Sequence, residues 1–567
     1  MPAAEELDRM TVTKMRSKKE YMSGFRSFFI LIFMVAFSLI TTSANANGLA
    51  IDNFEAYGID TSTDRITYTC DISWNNSWRN TTNYDAVWVF LKYSTDGGVT
   101  WSHASMGASG VNPNGFTVPY NFEIVVPSDE KGFFLQRTDL SLGTVIAEGL
   151  RFVWDYGQDG LSDAVAEASN TVNKIFGIEM VYIPQGAYYL GDGTSSSDYR
   201  FIQGSADDEP WYIDSENAIN TTAAAGNGYY YQSSGAAGES ATGDVFLIPA
   251  SFPKGFKSVY AMKYELTEGQ WVGFFNTLSL AAKTKRDITS ASAGGKNSDS
   301  VVDRNTVVWD SSDPKKDATT QRVDRPVTYI SWTDMAAYAD WAALRPMTEL
   351  EYEKIARGKD VFPVANEFSW GTASSNDAQA GEIYPSGSDE DGTEQIYDGS
   401  SNLNRNSLGW SSGDGRVGGP AAGQKGPLRA GIFAESSTSR TTSGASYYGV
   451  LELSGNLSEM VITVGRSQGR QFQGTHGDGN LSTTSGYEGN ATNIDWAGID
   501  PTDSSLGVTG TVGSGYRGGN FQSSSIRDFQ VSTRTNAARD ADSLGYSQRY
   551  DASSGIFQGG RLVRTAP

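Results

Sequence analysis

The stretch Arg345-Pro346-Met347-Thr348-Glu349-Leu350-Glu351-Tyr352-Glu353-Lys354-Ile355-Ala356-Arg357-Gly358 sets the character of the larger part of this chain. Thr348 and Glu351 stand at capping-box spacing, in which the hydroxyl accepts from a first-turn N–H and the carboxylate reaches back to the cap N–H. A helix therefore opens at Thr348, carries Tyr352 and Ile355 on its buried face, and is stopped by Gly358. Upstream, Thr267-x-x-Gln270 precedes Trp271, Phe274, Phe275 and Leu278, spaced for one apolar face, and Ser331-x-x-Asp334 opens a stripe of Met335, Ala339 and Ala342. Further out the helical signal ends. Glu179–Leu190 (EMVYIPQGAYYL) is an apolar, strand-like run. Residues 192–245 are rich in Gly, Ser, Ala and Asn and read as an insertion loop, and beyond 360 the chain is loops and short strands. Residues 177–567, in a chain with 63 Gly, make an irregular α+β unit with few helices.

Residues 47–154 have a different period. Arg65–Ser73 (RITYTCDIS) and Ala86–Tyr93 (AVWVFLKY) are β-branched and aromatic, and turn chemistry at Asn75-Asn76, Asp96-Gly97-Gly98 and Asn112-Pro113-Asn114-Gly115 separates the segments. Phe122–Val126, Gly132–Arg137 and Leu150–Trp154 supply further strands, so this part is expected to be a small all-β sandwich. Residues 155–176 read as the linker, where limited proteolysis should nick the chain and leave a stable C-terminal fragment. Asp155, Asp159-Gly160 and Asp163 in that segment have part of a calcium-loop spacing. Gly157 and Ala166 supply no carboxylate at the third and twelfth places, which favours a plain polar linker.

The apolar run 28–40 (FFILIFMVAFSLI) follows Lys14, Arg16, Lys18, Lys19 and Arg26 and precedes Ala44-Asn45-Ala46, the order of a secretory signal peptide cleaved after Ala46. The alternative, a membrane anchor, meets a run of 13 residues where a span needs about 20. The expected location is periplasmic, secreted or at the cell surface, with no stable membrane span in the mature chain. A net charge of −22 disfavours nucleic acid and anionic lipid as partners. Cys70 is the single cysteine, so an internal disulfide and a Cys-rich zinc site are excluded; within a strand pattern it reads as a small core residue. His103 and His476 are the two histidines, far apart, which argues against His-dependent triads and multi-His metal sites.

Eight motifs stand in order along 180–567: Glu179-Met180-Val181-Tyr182-Ile183-Pro184-x-Gly186; Tyr264-Glu265-Leu266-Thr267; Arg325-Pro326-Val327-x-x-Ile330-Ser331-Trp332; the Arg345–Gly358 stretch; Phe368-Ser369-Trp370-Gly371; Leu453-Ser454-Gly455-Asn456-Leu457-Ser458-Glu459; Tyr516-Arg517-Gly518-Gly519-Asn520; and Gly559-Gly560-Arg561-Leu562-Val563-Arg564. Together they resemble the formylglycine-generating-enzyme (sulfatase-modifying-factor) family. The segments Ile72-Ser73-Trp74, Trp88–Tyr93 and Trp101-Ser102-His103-Ala104 are similar to a leader domain on some secreted bacterial members. The resemblance implies a loop-rich fold related to C-type lectins, often calcium-stabilised. That fold is shared by sulfatase-cysteine oxidases, iron enzymes of sulfur-histidine biosynthesis, surface proteins and variable receptors, so the site must decide.

The family's oxidase holds copper with two cysteines five residues apart, after the Arg-Gly-Gly motif, because a soft thiolate suits Cu(I) and exchanges with a substrate thiol. The matching positions here are Val531 and Asn536, which offer no thiolate for copper. Two distant histidines cannot supply the His cluster of the family's iron enzymes, so neither copper nor iron is expected and no catalytic residue is assigned. The family's calcium site maps onto Glu452, Gly455, Leu457 and Glu459, two carboxylates and two backbone carbonyls, with Glu where the family has Asn and with Ser458 and Met460 where it has Trp. These residues are either a calcium site or a plain acidic turn. Residues 520–556, crowded with polar and aromatic side chains, offer Arg527, Asp528, Arg534, Asn536 and Arg539 as an adaptable contact surface, or form a solvated loop. The functional expectation is an exported, non-catalytic binding or structural module whose partner is a protein or glycan at the cell surface. The alternatives are an active metal-dependent oxidase and a variable ligand-binding receptor.

Overall fold

The computed structural model describes residues 48–193, 198–203, 209–226, 228–290, 295–313, 315–377, 401–405, 426–435, 438–539 and 558–567, with two short strands at Ile383–Tyr384 and Gln395–Ile396. The signal-like segment, cleavage point included, lies outside them, as do residues 540–557. Among the described residues no helix is long and apolar enough to cross a membrane.

Strands β1 (Ala50–Asp60), β2 (Arg65–Trp78), β3 (Asp85–Ser94), β4 (Ser102–His103), β5 (Gly110–Val111), β6 (Phe122–Val126), β7 (Phe133–Arg137), β8 (Leu142–Asp155) and β9 (Val172–Ile183) follow one another, and β10 (Val259–Met262), β11 (Arg345–Pro346) and β12 (Leu562–Thr565) come later. Strands β1, β2 and β8 form a three-stranded sheet. The others form a nine-stranded sheet in the order β11-β12-β10-β9-β3-β7-β6-β5, with β4 on β3.

β3 explains why the two parts do not separate. Its side chains alternate between two cores, as a period of two dictates. Val87, Val89, Leu91 and Tyr93 pack with Cys70, Ile72, Trp74, Phe152 and Trp154 from the three-stranded sheet. Ala86, Trp88 and Phe90 face the other way, into a core with Trp211, Trp271, Tyr338 and Trp341. All ten residues of β3 are buried, and it pairs with β9 from Asp85↔Val181 to Ser94↔Val172.

The segment expected to be a linker is therefore structured. Asp155 ends β8, Asp163–Ala166 is a short helical turn, and β9 already starts at Val172. The first three residues of β9 are only half-buried, which is why they have a linker's polarity. The three aspartates of that segment are occupied separately. Asp155 pairs with Arg65, Asp159 accepts from Trp154 and Ser105, and Asp163 accepts from the Tyr156 hydroxyl. A buried ion triad also joins the two parts: Lys263 Nζ lies 3.1 Å from both Asp85 and Glu179, and Asp85 further accepts from Trp74, Ser77 and Trp78.

The three helices stand where their caps place them. Helices α1 (Glu268–Phe275), α2 (Trp332–Trp341) and α3 (Glu349–Arg357) each open with a complete capping box, on Thr267/Gln270, Ser331/Asp334 and Thr348/Glu351. The described part of 192–245 is not a loose loop. Phe201, Trp211, Ile213, Ile219 and Tyr231 are buried in the main core, and Trp211–Ile213 pairs with Tyr188–Leu190. Glu216 anchors it by accepting the backbone N–H groups of Lys254, Phe256 and Lys257.

Candidate functional site

Helix α3 projects Glu349, Glu353 and Arg357 at i, i+4 spacing into the interior, where all three are buried. Burial alone would raise the Glu349 pKa, but Arg534 and Arg517 more than offset it and hold the carboxyl below its usual range. Arg534 Nε and Arg517 Nη1 donate to Glu349 Oε2 at 2.8 and 2.9 Å, while Thr463 and Val464 N–H donate to Oε1. Arg517 also bonds Glu353, and Arg357 joins Glu353, Glu367 and Ser532. The guanidinium of Arg534 lies 4.3 Å from the Phe201 ring and donates to the carbonyls of Tyr199 and Gln232 and to the Tyr231 hydroxyl.

This ionic lattice lies beneath the loop that carries the two oxidase-matching positions. Val531 is fully buried in an apolar cluster with Tyr352, Ile355, Val461 and Val563; its N–H donates to Glu367 and its carbonyl accepts from Arg517. Asn536 is partly exposed, and its carbonyl accepts from Tyr516 N–H. Cys70 is a core residue of the three-stranded sheet, and burial pushes its thiol pKa up.

Of the expected contact surface, Arg534 must be removed, because its side chain has no exposure and all its roles are internal. Arg527 and Arg539 are exposed, while Asp528 and Asn536 are partly so. Arg527 lies 3.7 Å from Asp198. Both histidines have structural partners: buried His103 donates Nε2–H to the Lys131 carbonyl, and half-buried His476 accepts at Nε2 from Thr565 N–H.

The residues matched to the family's calcium site do come together, and Glu265 joins them. Glu452 and Asn456 both adopt left-handed backbone, φ 57° and 64°, a conformation that costs on the order of 1 kcal/mol or more. Glu265 accepts from Leu457 N–H and Asn456 Nδ2, both at 2.8 Å. Glu452 Oε1 accepts from Gly431 N–H, and Glu459 Oε1 from Arg561 Nε at 2.6 Å. The second oxygens of Glu452 and Glu459 are buried and have no donor. Gly560 is a glycine for this reason among others: with φ 129°, a Cβ there would sit 3.1 Å from Glu459 Oε2 and 2.9 Å from Met460 N.

Three buried carboxylates share the one buried guanidinium of Arg561, with Arg429 acting on Glu452 as well. Desolvation raises Glu452 to about 7 and also raises Glu265 and Glu459. Orphaned inner oxygens and uncompensated charge fit a divalent cation held by Glu452 and Glu459 with the Gly455 and Leu457 carbonyls. Among the described residues no group of three or more His, Cys, Asp or Glu side chains has metal-ligand geometry, so any such site depends on those carbonyls.

The helix and the acidic turn belong to a loop-rich, mostly β unit with few helices. Residues 173–564 match the family described as "Sulfatase-modifying factor enzyme 1-like domain", and the chain belongs to that family. Among individual proteins, it is similar to a formylglycine-generating enzyme of Thermomonospora curvata, 38% identical over 64 residues. The match covers 11% of this chain and 21% of that enzyme's length.

Proposed function

We propose that this chain is an exported member of its family that lacks the oxidase chemistry and acts as a binding or structural module at the cell surface or in the periplasm, on the family's C-type-lectin-like fold. The observation that carries this reading is Val531 in an apolar core with Asn536 at the second matching position. An alkyl group and a neutral hard amide oxygen are poor donors to Cu(I), which prefers thiolate. Dialysis of the purified chain against Cu(I) should leave no stoichiometric copper, and one bound equivalent would contradict the reading.

The proposal includes calcium at the acidic turn, where it would neutralise the carboxylates and tie 452–459 together. Glu452 has a folded pKa above its unfolded value, so without calcium its contribution favours the folded state at low pH and is lost as pH rises from about 4.5 toward 7. The loss is on the order of 3 kcal/mol. Calcium should act where the carboxylate is ionised. Added calcium is expected to raise Tm near pH 8 far more than near pH 5, approaching about 2.7 kcal/mol at a hundredfold excess over Kd. Glu452→Gln should be more stable than the parent near pH 8 without calcium, and unresponsive to it. A Tm near pH 8 that chelator leaves unchanged would show that calcium is not held there.

A further inference from the structure

Away from the acidic turn and the Val531 loop, a cleft of about 560 Å³ opens between residues 247–251, the 467–473 segment, and Ile494 with Asp495. Its walls include Leu247 and Ile494, two large apolar side chains that are 50% and 71% exposed, and neighbouring Val245 is 66% exposed. Exposed aliphatics grouped around one concavity mark an interaction site more than they do when scattered.

The backbone at Leu247 makes the site specific. Leu247–Ile248 pairs with Ile219–Asn220 in a two-stranded ladder, with Asn220 opposite Leu247. Thr221 N–H donates to the Phe246 carbonyl, so Asn220 and Leu247 are a non-hydrogen-bonded pair and the Leu247 N–H and C=O point away from the partner strand. Among the described residues no hydrogen bond takes either group. Across the cleft, the exposed side-chain amides of Gln471 and Gln473 have no partner among the described residues. Arg470 is fixed at the rim, stacked 4.1 Å over Phe246 and donating to the Val464 carbonyl and the Ser240 hydroxyl. The rim segments are tied together: Ser240 N–H also donates to Gly465, and Asp495 accepts from Gln473 N–H and Thr475.

We propose that this cleft binds an extended peptide segment of a partner protein, which adds as a strand to the open edge at Leu247. It would place an aliphatic side chain against Leu247, Pro249 and Ile494 and present its backbone to Gln471 and Gln473. An open N–H and C=O pair is a feature that another backbone uses best. The lining has no aromatic side chain on which a sugar ring could stack, and Arg470 disfavours a basic residue beside it. The inference rests on the binding reading above and gives it a partner class.

The test is selection of a random peptide library without cysteine against the full chain, so that oxidase turnover cannot contribute. Enriched peptides should carry an aliphatic residue. They should bind Leu247→Pro roughly tenfold more weakly, as the loss of one backbone hydrogen bond and of the leucine contact predicts, and Gln473→Ala more weakly too. Both variants should keep the parent Tm, since proline is tolerated where an edge N–H faces solvent and the Gln473 side chain is free. If Leu247→Pro misfolds, Gln473→Ala decides alone. The proposal is overturned if no peptide is enriched, if the enriched peptides bind both variants as well as the parent, or if a glycan array yields the ligand whose binding these substitutions abolish. Conversion of a cysteine peptide would overturn the non-catalytic reading alone and leave this result standing.

Discussion

A chain lacking residues 48–154 is expected to be insoluble or unfolded, not a stable family domain. Removing β3 exposes one edge of β9 along ten paired residues and strips Trp88, Phe90 and Phe134 from the main core. Fully buried side chains of this size contribute about 1.5–3 kcal/mol each, against a net stability of about 5–15 kcal/mol for a typical domain. The truncation also leaves Lys263 and Glu179 without Asp85. Limited proteolysis of the whole chain should spare 155–176 for the same reason. A soluble, cooperatively melting fragment beginning after Asp155 would show that the shared sheet is dispensable.

Glu349→Ala is expected to be the most damaging single substitution, because it strands Arg534 in the interior and leaves Arg517 with Glu353 alone. Removing one partner of a buried ion pair costs about 3–5 kcal/mol, and here Arg534 loses its paired carboxylate while Arg517 loses one of two. Glu349→Gln should lose less, since the amide oxygen still accepts. Denaturation midpoints of the two variants against the parent read this directly. Equal and small losses would mean that the lattice is not needed for stability.

The helix starts were legible because a cap is a local device: Thr267, Ser331 and Thr348 each have their partner three residues on. The strand patterns of β2 and β3 were legible for a similar reason, and Cys70 lies in the core as its pattern suggested. Glu349, Glu353 and Arg357 were not, since charged residues four apart read as a solvated face. Only Arg517, Arg534 and Glu367, the first two more than 150 residues away, make their burial affordable. Arg534 read as a contact residue because its polar neighbourhood is the same whether it faces solvent or a buried carboxylate. The sheet that crosses the expected linker was hidden as well, because pairing between β3 and β9 leaves no mark on either strand beyond its length. Glu265 stood in a quoted motif, yet its place beside Glu452 and Glu459 depends on the turn at Asn456.

The proposed lack of oxidase chemistry rests on Val531 and Asn536 standing where the family's oxidase has thiolates. A Val531→Cys, Asn536→Cys double variant supplies the control: copper binding by the variant alone would mean that the scaffold is retained and only its donors are missing. The most direct measurement is mass spectrometry of a sulfatase-type cysteine peptide incubated with the purified parent chain, oxygen and copper. The account predicts unchanged peptide; copper-dependent conversion of its cysteine to formylglycine by the parent would contradict it.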